Sequence, residues 1–107
     1  GTSGARAIAS YLRAQQTSPS GGGLKQLELI RCGLGDDAIR VIADSLRDNT
    51  RLEALYLSSN FIHQSGFQFI AEALRDNVSL QQMDLDDNPG IIDENLLCEI
   101  QVRLRNN

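Results

Sequence analysis

The chain has 107 residues and 11.7 kDa, with 22% charged and 41% hydrophobic residues, which suits one soluble domain or a piece of one. A net charge of −4 and a pI near 4.8 argue against nucleic acid and anionic membrane as default partners. Two cysteines are too few for a disulfide scaffold, and no apolar run approaches the ~20 residues of a membrane span.

The first predicted element is a helix, because Ala5, Ile8, Ala9 and Leu12 stand at i, i+3, i+4 and i+7. A Ser/Gly/Pro-rich loop over Gln16–Gly23 follows. From Leu24 the chain repeats itself. Leu24, Leu52 and Leu80 are 28 residues apart, as are Leu27, Leu55 and Met83, and Leu29, Leu57 and Leu85. Cys32, Asn60 and Asn88 follow at the same spacing. Self-similarity at such a period is the signature of a stacked array.

Each unit predicts a short strand and then a helix. The strands fall at Gln26–Glu28, Ala54–Tyr56 and Gln82–Asp84. The helices carry Ile39, Ile42, Ala43 and Leu46, then Phe67, Ile70, Ala71 and Leu74. Asp36 and Ser65 are the expected N-caps, and Asn49 and Asn77 are expected as left-handed helix ends. The third unit matches best at Leu97, Ile100, Gln101 and Leu104, two residues late, with the insertion placed at Asn88–Gly90. Repeats therefore span 24–51, 52–79 and 80–107, after an N-terminal helix and loop over 1–23. The whole of 1–107 reads as a single segment, expected to be a fragment of a longer array with neighbouring repeats or domains in a parent chain.

Strands pair at about 4.8 Å and helices pack at about 8–10 Å, so the helical side must fan out. The expected α/β architecture is a solenoid with a curved parallel sheet on the concave side and helices on the convex side. Asn60 and Asn88 are expected to turn inward and satisfy loop backbone groups. Cys32 is expected to serve as a small buried thiol there, and Cys98 to be half-buried and unpaired with it.

The segments LKQLELIRCGL, LEALYLSSNFI and LQQMDLDDN, with AIRVIADSL and GFQFIAEAL, resemble the leucine-rich-repeat family, in its ribonuclease-inhibitor-like class. The resemblance covers nearly the whole chain from Leu24. It implies protein–protein recognition across the concave face and no cofactor. Relatives of this class include ribonuclease inhibitors, NOD-like receptor sensors, Ran GTPase-activating proteins and tropomodulin-like actin regulators.

Strand alternation places Gln26, Glu28, Ile30 and Arg31 on the concave face, with Ala54, Tyr56, Ser58 and Ser59, then Gln82, Asp84, Asp86 and Asp87. Tyr56 among acids suits a protein partner with a basic surface. Val41 and Phe69 occupy equivalent helix positions and are expected to be buried between helices. Asp84–Asn95 carries acids at calcium-loop spacing, but Pro89 and Asn95 stand where Gly and a bidentate Glu are needed, so no metal is expected. His63 is the single His, which leaves no zinc set and no nucleophile–His pair. The chain is expected to be a cytoplasmic, non-enzymatic binding module with reduced cysteines, part of a larger sensor or scaffold protein. The alternatives are a structural part of a cytoskeletal or ciliary assembly, and a GTPase-activating regulator of the Ran type acting through Arg31.

Overall fold

The computed structural model describes residues 2–16 and 24–107, so the loop expected over Gln16–Gly23 lies outside them but for its first residue. Helix α1 (Thr2–Gln16) is followed by β1 (Gln26–Glu28), α2 (Asp36–Leu46), β2 (Ala54–Tyr56), α3 (Gln64–Asp76), β3 (Gln82–Asp84) and α4 (Glu94–Asn106). All three strands are parallel, in the order β1-β2-β3. Gln26 pairs with Ala54 and Ala54 with Gln82, while Glu28, Tyr56 and Asp84 pair likewise. The 28-residue spacing is thus the strand register itself. Strands of three residues are marginal alone, and backbone bonds beyond them lengthen the ladder. Leu29 N donates to Tyr56 O at 2.8 Å, and Ser59 N donates to Asp86 O at 3.0 Å.

Four helices pack side by side on one face of this sheet, each against its neighbour in sequence. Between the layers lie Leu12, Leu46, Leu52, Leu55, Phe67 and Leu80, all at most 2% exposed. The first helix buries Ala5, Ala9 and Leu12, three of its four predicted positions, while Ile8 is half-buried. In α4 only Ile100 is fully buried. Leu97 is 40% exposed, and Gln101 faces solvent. The cause is position: α4 has a neighbouring helix on one side only among the described residues.

Two rows of asparagines tie the units together, one at each end of the strands. In the first row, Asn60 Oδ1 accepts from Cys32 N at 2.9 Å and Leu34 N at 3.1 Å. Its Nδ2 donates to Leu29 O at 2.8 Å and Leu57 O at 2.9 Å. Asn88 repeats this one unit on, accepting from Asn60 N and Ile62 N and donating to Leu57 O and Leu85 O. Each amide therefore serves the loop of the preceding unit. Cys32 heads the row and has no preceding strand loop to serve among the described residues. It is exposed, contrary to the buried thiol expected of it, and Cys98 is exposed too.

The second row joins each unit to the helix before it. Asn49 Nδ2 donates to Leu12 O at 3.3 Å, and its Oδ1 accepts from Leu52 N at 2.8 Å. Asn77 donates to Leu46 O at 2.7 Å and accepts from Leu80 N at 2.8 Å. Asn107 Nδ2 donates to Asn77 O and Leu80 O. Leu46 ends α2, so its carbonyl, which Asn77 serves, lacks an intrahelical partner. Asn77 does so with φ −76° and ψ 136°, extended rather than the left-handed end expected. Arg47, not Asn49, closes α2.

The expected N-caps also differ. Gly35 and His63 hold the cap positions of α2 and α3, neither with a side-chain cap bond. Asp36 is already helical, and its Oδ1 accepts from His63 N at 2.7 Å, bracing the next unit. Ser65 lies inside α3. Asp93 caps α4 by accepting from Leu96 N at 2.7 Å.

The third unit's irregularity has a local cause. Phe61 N donates to Leu34 O at 2.9 Å. The residue 28 positions on is Pro89, which has no N–H. Gly90 N donates instead, to Ile62 O at 2.8 Å. That substitution brings residue 90 against the preceding unit, where a Cβ would lie 2.6 Å from His63 Cα and 2.8 Å from Phe67 Cε2. Backbone atoms must shift to admit it. Gly90→Ala is therefore expected to cost about 2 kcal/mol through overpacking, read as a lower urea midpoint at unchanged slope. An unaltered midpoint would show that the loop relaxes freely.

Candidate functional site

The sheet's outer surface presents rows of side chains set by strand register. Gln26 and Gln82 are exposed in the first row with Ala54 buried between them, and Glu28, Tyr56 and Asp84 form the second. Alternation continues beyond the strands: Leu29 and Leu57 are buried, while Ile30 and Asp86 are exposed and Ser58 is half-buried. Ile30, Ser58 and Asp86 thus extend the surface. The next position departs from it. Arg31, Ser59 and Asp87 all have φ 58°, the left-handed region, so here the chain turns off the sheet toward the helix. Simple alternation had grouped these three with the strand face. They form its rim.

Tyr56 is half-buried at the centre, with Glu28 and Asp84 as its register neighbours. Its hydroxyl donates to Gln82 Oε1 at 3.4 Å, which fixes the ring's polar end along the sheet. Gln26 Nε2 donates to Glu28 Oε1 at 3.4 Å. Asp84 Oδ1 accepts from Asp86 N at 3.0 Å, and Ser59 Oγ donates to Asp87 Oδ2 at 2.8 Å. Each acid of the third unit keeps an oxygen free for a ligand, since a carboxylate accepts several bonds.

Two shallow depressions adjoin one another near Gln82 and Arg105. One, of about 460 Å3, is lined by Tyr56, Gln82, Met83, Asp84, Leu104 and Arg105. The other, of about 540 Å3, runs from Lys25 and Gln26 past Glu53 and Ala54 to Arg105. A third hollow lies at the rim, where Ser59 and Asp87 meet Phe61 and Pro89. Phe61 is 60% exposed there, a large apolar surface that no sequence argument had singled out. The sequence signal was available: the equivalent position is Gly33 in the first unit and Pro89 in the third, so Phe61 breaks the pattern.

The arrangement offers contact chemistry. An aromatic side chain sits among carboxylates and amides on an open surface. Arg31 is exposed at the rim, and its N–H donates to Ser58 O at 3.2 Å. Among the described residues no three His, Cys, Asp or Glu side chains gather where they would hold a metal ion. Away from this surface, Arg75 Nε donates to Glu99 Oε1 at 2.7 Å, linking α3 to α4. That bond holds the Glu99 carboxyl below its usual range and raises Arg75. Both groups are solvated, so the pair adds little stability.

No family model matches the chain, and no curated protein matches it by sequence. Solved structures do match by fold. The leiomodin-1 actin-binding site 2 aligns with all of this chain at a TM-score of 0.75 and 22% identity. The chain spans 58% of that protein's length. The tropomodulin C-terminal domain of Caenorhabditis elegans aligns over 95% of this chain and 92% of its own, at 13% identity and a TM-score of 0.38. The first likeness establishes the fold as a leucine-rich-repeat-type α/β arrangement. Among the described residues no helix is long and apolar enough to cross a membrane.

Proposed function

We propose that this chain is a protein-binding module of the actin cytoskeleton that recognises its partner through the sheet face around Tyr56. The observation that carries the reading is the alignment of all its residues with the leiomodin-1 actin-binding site 2. That likeness favours the cytoskeletal alternative over the sensor reading. In this reading the sheet is the concave side of a solenoid of the ribonuclease-inhibitor-like class, and the module works inside the cell without catalysis or cofactor. Tyr56 is the anchor. Glu28, Asp84, Asp86 and Asp87 form an acidic rim that orients a basic patch on the partner, with Ile30, Ser58 and Gln82 completing the contact. Arg31 supplies one positive corner, which fixes register on the partner and transfers no phosphoryl group.

Co-sedimentation with filamentous actin and a fluorescence titration of monomeric actin test this directly. The native chain is expected to bind one of the two forms saturably. Tyr56→Ala and Asp84→Lys are each expected to weaken binding by roughly tenfold, and binding should fall as salt rises. Failure to bind either form of actin overturns the actin assignment. Binding that survives both substitutions removes the sheet face as the site.

A further inference from the structure

The helical layer carries a second surface, away from the sheet face. A groove of about 520 Å3 opens among α1, α2 and α3. Its walls hold Arg6 and Arg13 from α1 and Arg40 and Arg47 from α2, and Val41 and Phe69 are part of its lining. Both apolar side chains were expected to be buried between helices, but each is only half-buried. The arginines of each helix are seven residues apart, which returns a side chain to the same helix face about 10.5 Å further along. Two rows of positive charge therefore run along α1 and α2, with Val41 on α2 and Phe69 on α3 beside them.

Charge decides what fits. Four arginines stand against three carboxylates, Asp44, Glu72 and the neighbouring Asp76, so the groove keeps a positive excess in a chain whose net charge is −4. Arg13 pairs with Asp44 at 3.1 Å, and Arg47 pairs with Asp76 at 2.8 Å. The partners in these pairs are more than a third exposed, so each bond is weak and readily exchanged. Arg6 and Arg40 make no ion pair among the described residues and are exposed. A guanidinium fork matches a carboxylate in bidentate fashion. The apolar lining and the acids suit a polyphosphate poorly.

We infer that this groove docks an acidic, amphipathic helix of a partner protein. Its carboxylates meet Arg6 and Arg40, and its apolar side chains cover Val41 and Phe69. The site is separate from the sheet face, so one module can hold two partners, or two parts of one.

The probe is a fluorescein-labelled synthetic helix of Ala, Leu and Glu, with Glu at seven-residue spacing and Leu between, alongside its Glu-to-Gln analogue. Anisotropy titration against the intact chain is expected to give saturable binding that weakens with salt. The Gln analogue and the double variant Arg6→Glu/Arg40→Glu are each expected to bind roughly tenfold more weakly. Both arginines are exposed, so the variant should retain the native thermal midpoint. Phe69→Ser should also weaken binding, reporting the apolar contact. Tyr56→Ala should leave peptide affinity unchanged, which separates this site from the sheet face. No saturable binding, or binding indifferent to the arginine substitutions, overturns the inference. So does equal or tighter binding of phosphatidylserine vesicles with the same arginine dependence, because the site would then be lipid-directed.

Discussion

Replacing Asn60 with alanine is expected to remove about 3–5 kcal/mol of stability, one of the largest losses available to a polar side chain here. Asn60 is 4% exposed. Its oxygen accepts the N–H groups of Cys32 and Leu34, and its nitrogen donates to Leu29 O, Leu57 O and Ser58 O. Alanine deletes the side chain and leaves these backbone groups where they are. An orphaned buried donor or acceptor costs about 1–3 kcal/mol, and several are orphaned at once. Partial relief comes from water near Cys32, which is exposed, and from Asn88 Nδ2, which also donates to Leu57 O. Those offsets keep the total below the simple sum. Asn88→Ala breaks the same kind of bonds in a half-buried setting, so it should cost less. Urea unfolding followed by circular dichroism reads both variants. A loss below about 1 kcal/mol for Asn60→Ala would mean that water replaces the amide without penalty.

Leu55→Ala is expected to cost about 2–5 kcal/mol, toward the upper end. Leu55 is fully buried in the central strand, with Leu27 and Met83 beside it in register. The lost methyl groups leave a cavity walled by neighbours that are themselves fixed by strand pairing, so the space collapses poorly. Domains of this size hold only about 5–15 kcal/mol in total, and each kcal/mol shifts the thermal midpoint by about 4–8 °C. Scanning calorimetry should therefore show a drop of more than about 10 °C, with the strand order intact. Met83 and Leu27 are half-buried, so alanine at either should cost less than at Leu55. Equal losses at all three positions would contradict the edge-to-centre gradient.

Much of this was legible in the residues. The three strands stand where the 28-residue register placed them, because a parallel stack converts a sequence period directly into strand pairing. The helical stripes of α1, α2 and α3 were legible for a similar reason: a period of 3.6 residues selects one face for burial. Legibility failed where a residue's partner belongs to another unit. Asp36 looked like a local N-cap, but its carboxylate reaches His63 N, 27 positions away. Asn49 and Asn77 looked like helix ends, yet their amides bridge to carbonyls of the preceding helix and its loop. Cys32 looked buried by analogy with Asn60, although the amide in that row always serves the unit before its own.

The candidate site divides along the same line. Tyr56 and its flanking acids follow from alternation along a strand and needed no coordinates. The rim did not, since the left-handed turn at Arg31, Ser59 and Asp87 ends the alternation and sets those side chains at an edge. The arginine groove was illegible. Arg6 and Arg13 stand before the point where the sequence spacing departs from 28 residues, so their phase against Arg40 and Arg47 depends on how α1 packs on α2. Sequence by itself determined the repeat, its strands and its apolar stripes, because those are local periodicities that stacking preserves. Tertiary structure alone decided which polar groups meet between units and which helix faces remain open, because those depend on the relative placement of elements about 30 residues apart in the chain.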